Sequence, residues 1–157
     1  MRILTAYFSA GGVTKALAER LSGAVGAETF AIEPQEPYSD ADLKWVNPLA
    51  RCNREKIGKK DVPVKGTVEN IGDYDLILIG FPIWYYGAPN IIQTFVRQYD
   101  LSGKRIGLFA TSGSSDIGKT AEKLKPFLSE GAQIVGAKRF AADADAETLK
   151  AWVETLK

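Results

Sequence analysis

The chain has 157 residues, of which 45% are hydrophobic and 25% charged, and its formal net charge is +1. This length predicts a single domain, residues 1–157, and the composition is typical of a globular protein. The near-zero charge provides no field that would attract nucleic acid, and the absence of histidine excludes imidazole acid–base catalysis and histidine-ligated metal sites.

The cysteine count and the apolar segments indicate the cellular compartment. Cys52 is the only cysteine, so no internal disulfide is possible, which suits a reducing compartment. The N-terminal segment MRILTAYFS is too short and too polar for a signal peptide. The uncharged segment Leu76–Pro89 is interrupted by glycines and prolines and is shorter than the ~20 residues of a membrane span. We therefore expect a cytoplasmic protein without membrane insertion.

Five short apolar runs, taken in chain order, predict strands buried on both faces of a parallel sheet. The runs are Ile3–Phe8, Glu28–Ile32, Leu76–Ile79, Ile106–Ala110 and Gln133–Val135. Apolar residues at helical spacing follow four of them, around Leu17, Ile92, Leu124 and Val153. We expect Pro126 to bend the third helix and Asp143 or Asp145 to cap the fourth.

Alternating strands and helices predict a doubly wound α/β fold with the strand order 2-1-3-4-5. Segment 34–73 is the exception, and we expect it to hold one interrupted helix near Asp42–Lys59. In such a sheet, ligands bind beyond the carboxyl ends of the strands, at the switch point between strands one and three. The loops that meet there follow Phe8, Ile79 and Ala110.

The first loop, SAGGVT, predicts an anion-binding turn between a strand and a helix. Its glycines allow successive N–H groups to point at one anion, and the helix N-terminus adds a positive dipole end. The hydroxyls of Ser9 and Thr14 can donate to phosphate oxygens. The candidate residues are Ser9, Ala10, Gly11, Gly12, Val13 and Thr14. The alternative is a simple strand–helix turn with convenient glycines.

The second loop, GFPIWYYGAPN, places three adjacent aromatic side chains at the mouth of a strand. Three neighbours cannot all point into a core, and exposed aromatics beside a strand end form a stacking surface for a flat ring. The candidate residues are Pro82, Ile83, Trp84, Tyr85, Tyr86 and Gly87. The alternative is a hydrophobic plug under a long loop.

The third loop, TSGSSDIG, is rich in small and hydroxyl residues, so its backbone can reach the heteroatoms of a ring. Its candidate residues are Thr111, Ser112, Gly113, Ser114, Ser115, Ile117 and Gly118. Together, an anion-binding turn, an aromatic surface and a backbone wall describe a site for a flat ring with a phosphate tail. That is the shape of FMN.

The stretch GSSDIGKT, residues 113–120, also matches the nucleotide phosphate-loop pattern. A triphosphatase needs an aspartate at the end of another apolar strand to hold Mg²⁺. Here the first strand ends in Ser9 and the third in Gly80 and Phe81, so no strand supplies that aspartate. We therefore interpret the match as a coincidence and expect Lys119 to have no part in binding.

Three segments of the chain resemble the flavodoxin family: YFSAGGVTKALAERL, DYDLILIGFPIWYYGAP and GLFATSGSSDIG. The similarity runs over nearly the whole chain and is to the short form of the family. The resemblance implies that Ser9, Gly12 and Thr14 hold the phosphate of FMN, with Gly11 in place of a middle hydroxyl. It also implies that Trp84 or Tyr85 covers one face of the flavin ring.

The remaining implications of the resemblance concern the ring edges. Backbone of Pro82–Tyr86 and Ser112–Gly118 would line them. In many members of the family, a glycine shortly after the aromatic surface lets a peptide turn toward flavin N5, and Gly87 is the corresponding glycine here.

The resemblance implies a low-potential electron carrier that passes electrons between redox protein partners. The small size and the lack of an evident nicotinamide site favour this function. An FMN-dependent NAD(P)H oxidoreductase of the same fold, similar to quinone reductases, is the alternative, and a module that has lost its flavin is a third. The segment Arg51–Lys60 carries five basic residues and one acid, which indicates a solvated helix face or a docking patch for an acidic partner.

Overall fold

The computed structural model describes residues 1–36, 39, 41–43, 50–51, 62–84, 87–111 and 117–157. The helix predicted near Asp42–Lys59 falls outside these residues, apart from a 3-10 turn at Ala41–Leu43. The basic segment Arg51–Lys60 also lies outside them, except for its first residue. Among the candidate site residues, those not described are Tyr85, Tyr86, Ser112, Gly113, Ser114 and Ser115.

Five parallel strands form the central sheet, in the order β2-β1-β5-β6-β7. Without the small pair β3 and β4, this is the predicted order 2-1-3-4-5, so the doubly wound α/β fold is confirmed. The strands are β1 Ile3–Tyr7, β2 Glu28–Ala31, β3 Glu33–Pro34, β4 Val64–Lys65, β5 Leu76–Pro82, β6 Arg105–Thr111 and β7 Gln133–Phe140. The antiparallel pair of β3 and β4 was not predicted, because strands of two residues carry no periodicity.

β7 extends to Phe140, whereas its apolar pattern ends at Val135. Among the described strands it pairs with β6 alone and so lies at the edge of the sheet. Its exposed residues include Ala137 and Lys138. An edge strand is not covered on every side, so its later residues need not be apolar, and a lysine there discourages pairing with another chain.

The described residues form four α-helices, which are α1 Val13–Val25, α2 Asn90–Arg97, α3 Thr120–Leu124 and α4 Ala146–Glu154. α3 is short because Pro126 lies in the 3-10 turn that follows it and has no N–H to continue the helix. Asp145 caps α4, as one of the two predicted alternatives, and its carboxylate accepts the Thr148 N–H at 2.8 Å. None of these helices is long and apolar enough to span a membrane.

The first strand supplies side chains to two hydrophobic layers, one on each face of the sheet. Leu4 of β1 and Phe8, the residue after the strand, pack in the layer that contains α2. Ile3 and Tyr7 pack in the opposite layer, with α1 and α4. Because both faces of the central strands are buried, their sequences read as continuous apolar runs rather than as an alternation.

Gly80 in β5 is required by packing rather than by the loop that follows it. A Cβ atom at this position would lie 2.2 Å from the ring of Phe109, which is fully buried. Burying a phenylalanine side chain stabilises a protein by about 1.5–3 kcal/mol, and a larger residue at position 80 would displace this ring. The glycine therefore leaves room for the Phe109 ring beside the place where the candidate site begins.

Candidate functional site

The three loops predicted to form the site begin at the carboxyl ends of β1, β5 and β6, which are neighbours in the sheet. Backbone hydrogen bonds join these ends. The Phe8 N–H donates to the Gly80 carbonyl at 2.9 Å, and the Ile83 N–H donates to the Thr111 carbonyl at 3.2 Å. The structure thus brings the starts of the three loops together at the predicted switch point.

The segment Ser9–Thr14 forms a tight turn that leads directly into α1. Gly12 lies at the N-cap position with φ of 92°, a left-handed conformation that glycine adopts without strain. The Ser9 hydroxyl oxygen accepts the Gly12 N–H at 3.0 Å, so the hydroxyl keeps its own hydrogen for another acceptor. Gly11 and Gly12 are exposed, and a Cβ atom on either would meet nothing within 4 Å.

The N-terminus of α1 has neither a side-chain cap nor an acidic residue in its first turn. Ala16 is bonded to the Gly12 carbonyl at 3.1 Å. The N–H groups of the residues before Ala16 lie at the positive end of the helix dipole and have no partner within the helix. Lys15 adds an exposed positive charge in the same turn. This set of donors fits an anion such as a phosphate group.

Thr14 differs from the other residues of the turn because it is buried. Only 1% of it is exposed, and its hydroxyl oxygen lies 2.7 Å from the hydroxyl oxygen of Thr111, which is 5% exposed. The hydroxyl of Thr14 is therefore already hydrogen-bonded within the protein. Its predicted contact with phosphate stays a prediction, and the bond to Thr111 gives it a structural role as well.

Trp84 lies at the mouth of β5, half-buried against Phe8. The two rings are 5.6 Å apart between centroids and perpendicular, the edge-to-face geometry that aromatic pairs prefer. The Trp84 N–H donates to the Gly87 carbonyl at 2.8 Å, and the Gly87 N–H donates back at 3.1 Å. Trp84 and Gly87 thus exchange both of their backbone hydrogen bonds.

These bonds change what is expected of Gly87. Both of its backbone polar groups are engaged by Trp84. The turn of its carbonyl toward a ring nitrogen stays a prediction, and it would require the bond from the Trp84 N–H to be shared or broken. The other half-buried residues at the start of the loop are Pro82 and Ile83.

The third loop is described at its two ends. Thr111 ends β6, Ile117 is 8% exposed and Gly118 has φ of 56°. Beyond it, the Thr120 hydroxyl donates to the Ile117 carbonyl and is buried, so it is not presented to a metal ion as a phosphate-loop hydroxyl would be. Lys119 is exposed. These contacts agree with the interpretation of GSSDIGKT as a coincidental match.

Tyr7 is the titratable group of β1 nearest to the turn. Burial raises the pKa of its hydroxyl, and the negative charges of Glu19 and Glu33 raise it further. Tyr7 is 8% exposed and packs in the layer formed with α1 and α4, so it stays protonated and structural. Among the described residues, no cluster of acidic or cysteine side chains could hold a metal ion.

Three features of this site lie outside the prediction from the sequence. Phe8 supports Trp84, although its apolar run indicates only a strand. Thr111 is a partner of Thr14 across 97 positions, whereas its loop indicates only small residues. Lys15 adds a charge to the first turn of α1, and its place directly after the glycine turn is the signal that could have identified it.

The flavodoxin family model matches residues 2–156. The crystal structure of a Bacteroides eggerthii protein, described as a flavoprotein, is similar with a TM-score of 0.89 and 40% identity, covering 99% of this chain and 97% of that one. A flavoprotein of Lactobacillus acidophilus, solved in complex with FMN, shares the fold with a TM-score of 0.75 at 23% identity, covering 97% and 98% of the two chains.

Flavodoxin 1 of Escherichia coli strain K12 is 27% identical to this chain over 104 residues. That alignment covers 56% of this chain and 57% of the E. coli protein, little more than half of each. The family model, by contrast, extends over both the anion-binding turn and the two loops beside it. The chain belongs to the flavodoxin family.

Proposed function

We propose that this protein binds FMN and carries electrons at low potential between redox protein partners in the cytoplasm. Membership of the flavodoxin family supports the proposal, as does the Lactobacillus acidophilus flavoprotein of the same fold, whose structure contains FMN. The predicted single domain and the lone Cys52, which suits a reducing compartment, are consistent with it.

One observation carries the proposal: within the part of the chain that the structure describes, the N-terminus of α1 has no side-chain cap and no acid in its first turn. Gly12 replaces a capping side chain, and no acid lies in the first turn. Exposed Gly11 and Lys15 leave room and positive charge for the phosphate of FMN. Ser9 retains a hydroxyl hydrogen that can donate to the same phosphate.

The residues predicted to surround the ring would control its redox properties. FMN, when bound, supplies reversible one- or two-electron chemistry. The Trp84 ring, which packs edge to face against Phe8, would exclude water from one face of the flavin ring. Neither Phe81–Asn90 nor Thr111–Gly118 contains a lysine or arginine, so these segments offer no cation to stabilise added negative charge in a dry site. A low potential for the final reduction step is expected, and Trp84→Ala should raise it by admitting water.

The alternative is an FMN-dependent oxidoreductase that takes electrons from NAD(P)H. The adjacent Trp84, Tyr85 and Tyr86 favour it, because three aromatic side chains could also stack on a second flat ring. Steady NAD(P)H oxidation by the purified protein alone would support this alternative, and dependence on a separate reductase would support the carrier function.

The proposal is tested by titrating FMN into apoprotein while flavin fluorescence is recorded. We expect quenching at micromolar protein, and its absence would refute FMN binding. Stepwise reduction of the loaded protein then distinguishes the two functions. A long-wavelength absorbance band partway through the titration indicates one-electron steps and a carrier. Direct passage to the fully reduced spectrum indicates two-electron chemistry and the enzyme.

A further inference from the structure

The contact between Thr14 and Thr111 joins parts of the site that have different tasks. Thr14 is the second residue of α1 and so belongs to the anion-binding turn. Thr111 is the last residue of β6 and begins the loop predicted to line the ring. Their hydroxyl oxygens are 2.7 Å apart, across 97 positions of sequence. We call this pair the hydroxyl clasp.

Thr111 also holds the aromatic loop. Its carbonyl accepts the Ile83 N–H at 3.2 Å, one residue before Trp84. In the sheet it pairs with Pro82. A single residue is thus bonded through its side chain to the anion-binding turn and through its backbone to the base of the aromatic loop.

We propose that the hydroxyl clasp is a positioning contact that couples the two halves of the site, so that an anion at the turn raises the affinity of the ring loops for a flavin. This inference rests on the proposed function. It assigns to Thr14 and Thr111 a task that neither would have as an isolated ligand of the phosphate.

The environment of the clasp favours such coupling. Thr14 and Thr111 are 1% and 5% exposed, so water does not compete for their hydrogen bond. A hydrogen bond in a buried environment is stronger than the same bond in water, and a buried hydroxyl that loses its partner is costly. Both residues are β-branched and stiff at χ1, so a shift of one backbone segment is passed to the other rather than absorbed by side-chain rotation.

The experiment separates the two halves by using riboflavin, which lacks the phosphate, together with inorganic phosphate. The Kd of riboflavin is measured by fluorescence quenching with and without saturating phosphate, and chloride keeps the ionic strength constant. For the wild type we expect phosphate to tighten riboflavin binding at least about fivefold, the lower end of measured couplings between sites. Thr111→Val should reduce this ratio to about one.

Two variants serve as controls. Thr111→Ser retains the hydroxyl and should retain the coupling. Thr5→Val makes the same chemical change as Thr111→Val at a fully buried threonine of β1, whose hydroxyl has no hydrogen-bond partner within the described part of the chain. Thr5→Val should leave the riboflavin affinity unchanged, both with and without phosphate.

A double variant covers the case in which Thr111→Val does not fold. Thr14→Val combined with Thr111→Val leaves no unpaired hydroxyl, and we expect it to fold, bind riboflavin and show no response to phosphate. A response like that of the wild type in Thr111→Val or in the double variant would overturn the clasp, as would a wild type that does not respond. Absence of FMN quenching in the wild type refutes the proposed function instead, so the two failures are distinguishable.

Discussion

The helices α1 and α4 pack on the same face of the sheet, but the chain supplies a capping carboxylate only to the N-terminus of α4. The N-cap of α4 is Asp145, whose carboxylate accepts the Thr148 N–H at 2.8 Å, and Glu147 lies in the first turn of the helix. The N-cap of α1 is Gly12, and this helix has no side-chain cap and no acid in its first turn. The helices are also tied together, because Arg20 of α1 donates to the carbonyl of Ala144, just before α4, at 2.8 Å.

The difference supports the proposal that a helix N-terminus serves stability at α4 and binding at α1. At α4 the chain supplies its own anion, and the pKa of Asp145 is lowered, first by its hydrogen bond with the Thr148 side chain and then by the Thr148 N–H. At α1 the chain supplies glycines and Lys15. A helix end without an anion of its own is available to an external one.

The largest effect on FMN affinity is expected when a carboxylate is placed at the uncapped N-terminus of α1. Gly11→Asp adds a negative charge in front of α1, at a position where a Cβ atom meets nothing within 4 Å. Repulsion between two unit charges in contact is about 1–4 kcal/mol between the dielectric constants of water and a protein surface. We expect FMN affinity to fall by a factor between about five and several hundred, and riboflavin affinity to change little. Titration with each flavin measures both.

The matched control is Gly23→Asp, which makes the same charge change on α1 with open space around it. It lies roughly 18 Å away along the helix axis, beyond the reach of strong screened repulsion. Its FMN affinity should stay close to that of the wild type. Equal FMN affinities of the Gly11 and Gly23 variants would place the phosphate elsewhere.

A second pair of variants tests whether the turn itself, and not overall stability, sets affinity. Gly12 and Gly26 begin and end α1 in left-handed conformations, with φ of 92° and 70°. Alanine at either position should lower the free energy of unfolding by about 1–2 kcal/mol, because its Cβ is strained there. Only Gly12→Ala should also weaken FMN binding, by about tenfold if the turn moves to relieve the strain. Urea unfolding of the apoproteins measures the stability of each variant, and FMN titration measures its affinity. Comparable losses of FMN affinity in Gly12→Ala and Gly26→Ala would contradict a special role of the turn.

A smaller effect, on stability alone, is expected at the N-terminus of α4, which Asp145 caps. Asp145→Ala should lower the melting temperature by removing the cap, and FMN affinity should not change. Because the folded pKa of Asp145 is lowered, its contribution is present above the ordinary value of 3.8 and is lost as the pH falls through the folded value.

The control at this position is Asp145→Asn, which keeps a capping oxygen without a titratable charge. It should remove the acid-dependent part of the stability and retain the cap at neutral pH. Melting curves between pH 3 and pH 7 test this, and parallel curves for wild type and Asn variant would contradict it.

The smallest effect is expected at the coincidental phosphate-loop match. Lys119→Ala removes an exposed charge and should leave the Kd of FMN within about twofold of the wild type, as surface substitutions usually do. Calorimetry with ATP and Mg²⁺ should detect no binding to the wild type. A large loss of FMN affinity, or Mg²⁺-dependent ATP binding, would require Lys119 to be placed in the site.

The sheet order and the meeting of the three loop starts could be predicted because they follow from local patterns. Buried strands such as Leu76–Ile79 read as continuous apolar runs, and helical spacing around Leu17 marks a crossover. Parallel strands with helical crossovers leave few topologies and one switch point. The glycines of SAGGVT then indicated where a backbone could approach an anion.

Other features could not be predicted because they depend on contacts between distant residues. No pattern in the sequence pairs Thr14 with Thr111 or sets the Trp84 ring on Phe8. Gly80 was noted beside the aromatic loop, yet its small size serves the ring of Phe109 in the core. The end of β7 was missed because an edge strand continues through Lys138 without an apolar signal.

The most direct test of the account is the ratio of the riboflavin and FMN dissociation constants of the wild-type apoprotein, measured in a buffer without phosphate. The two ligands differ by the phosphate that we assign to the uncapped N-terminus of α1. One hydrogen bond to a charged group contributes about 1.5–3 kcal/mol, so FMN should bind at least about tenfold more tightly than riboflavin. A ratio of one would contradict the assignment of the phosphate to this turn.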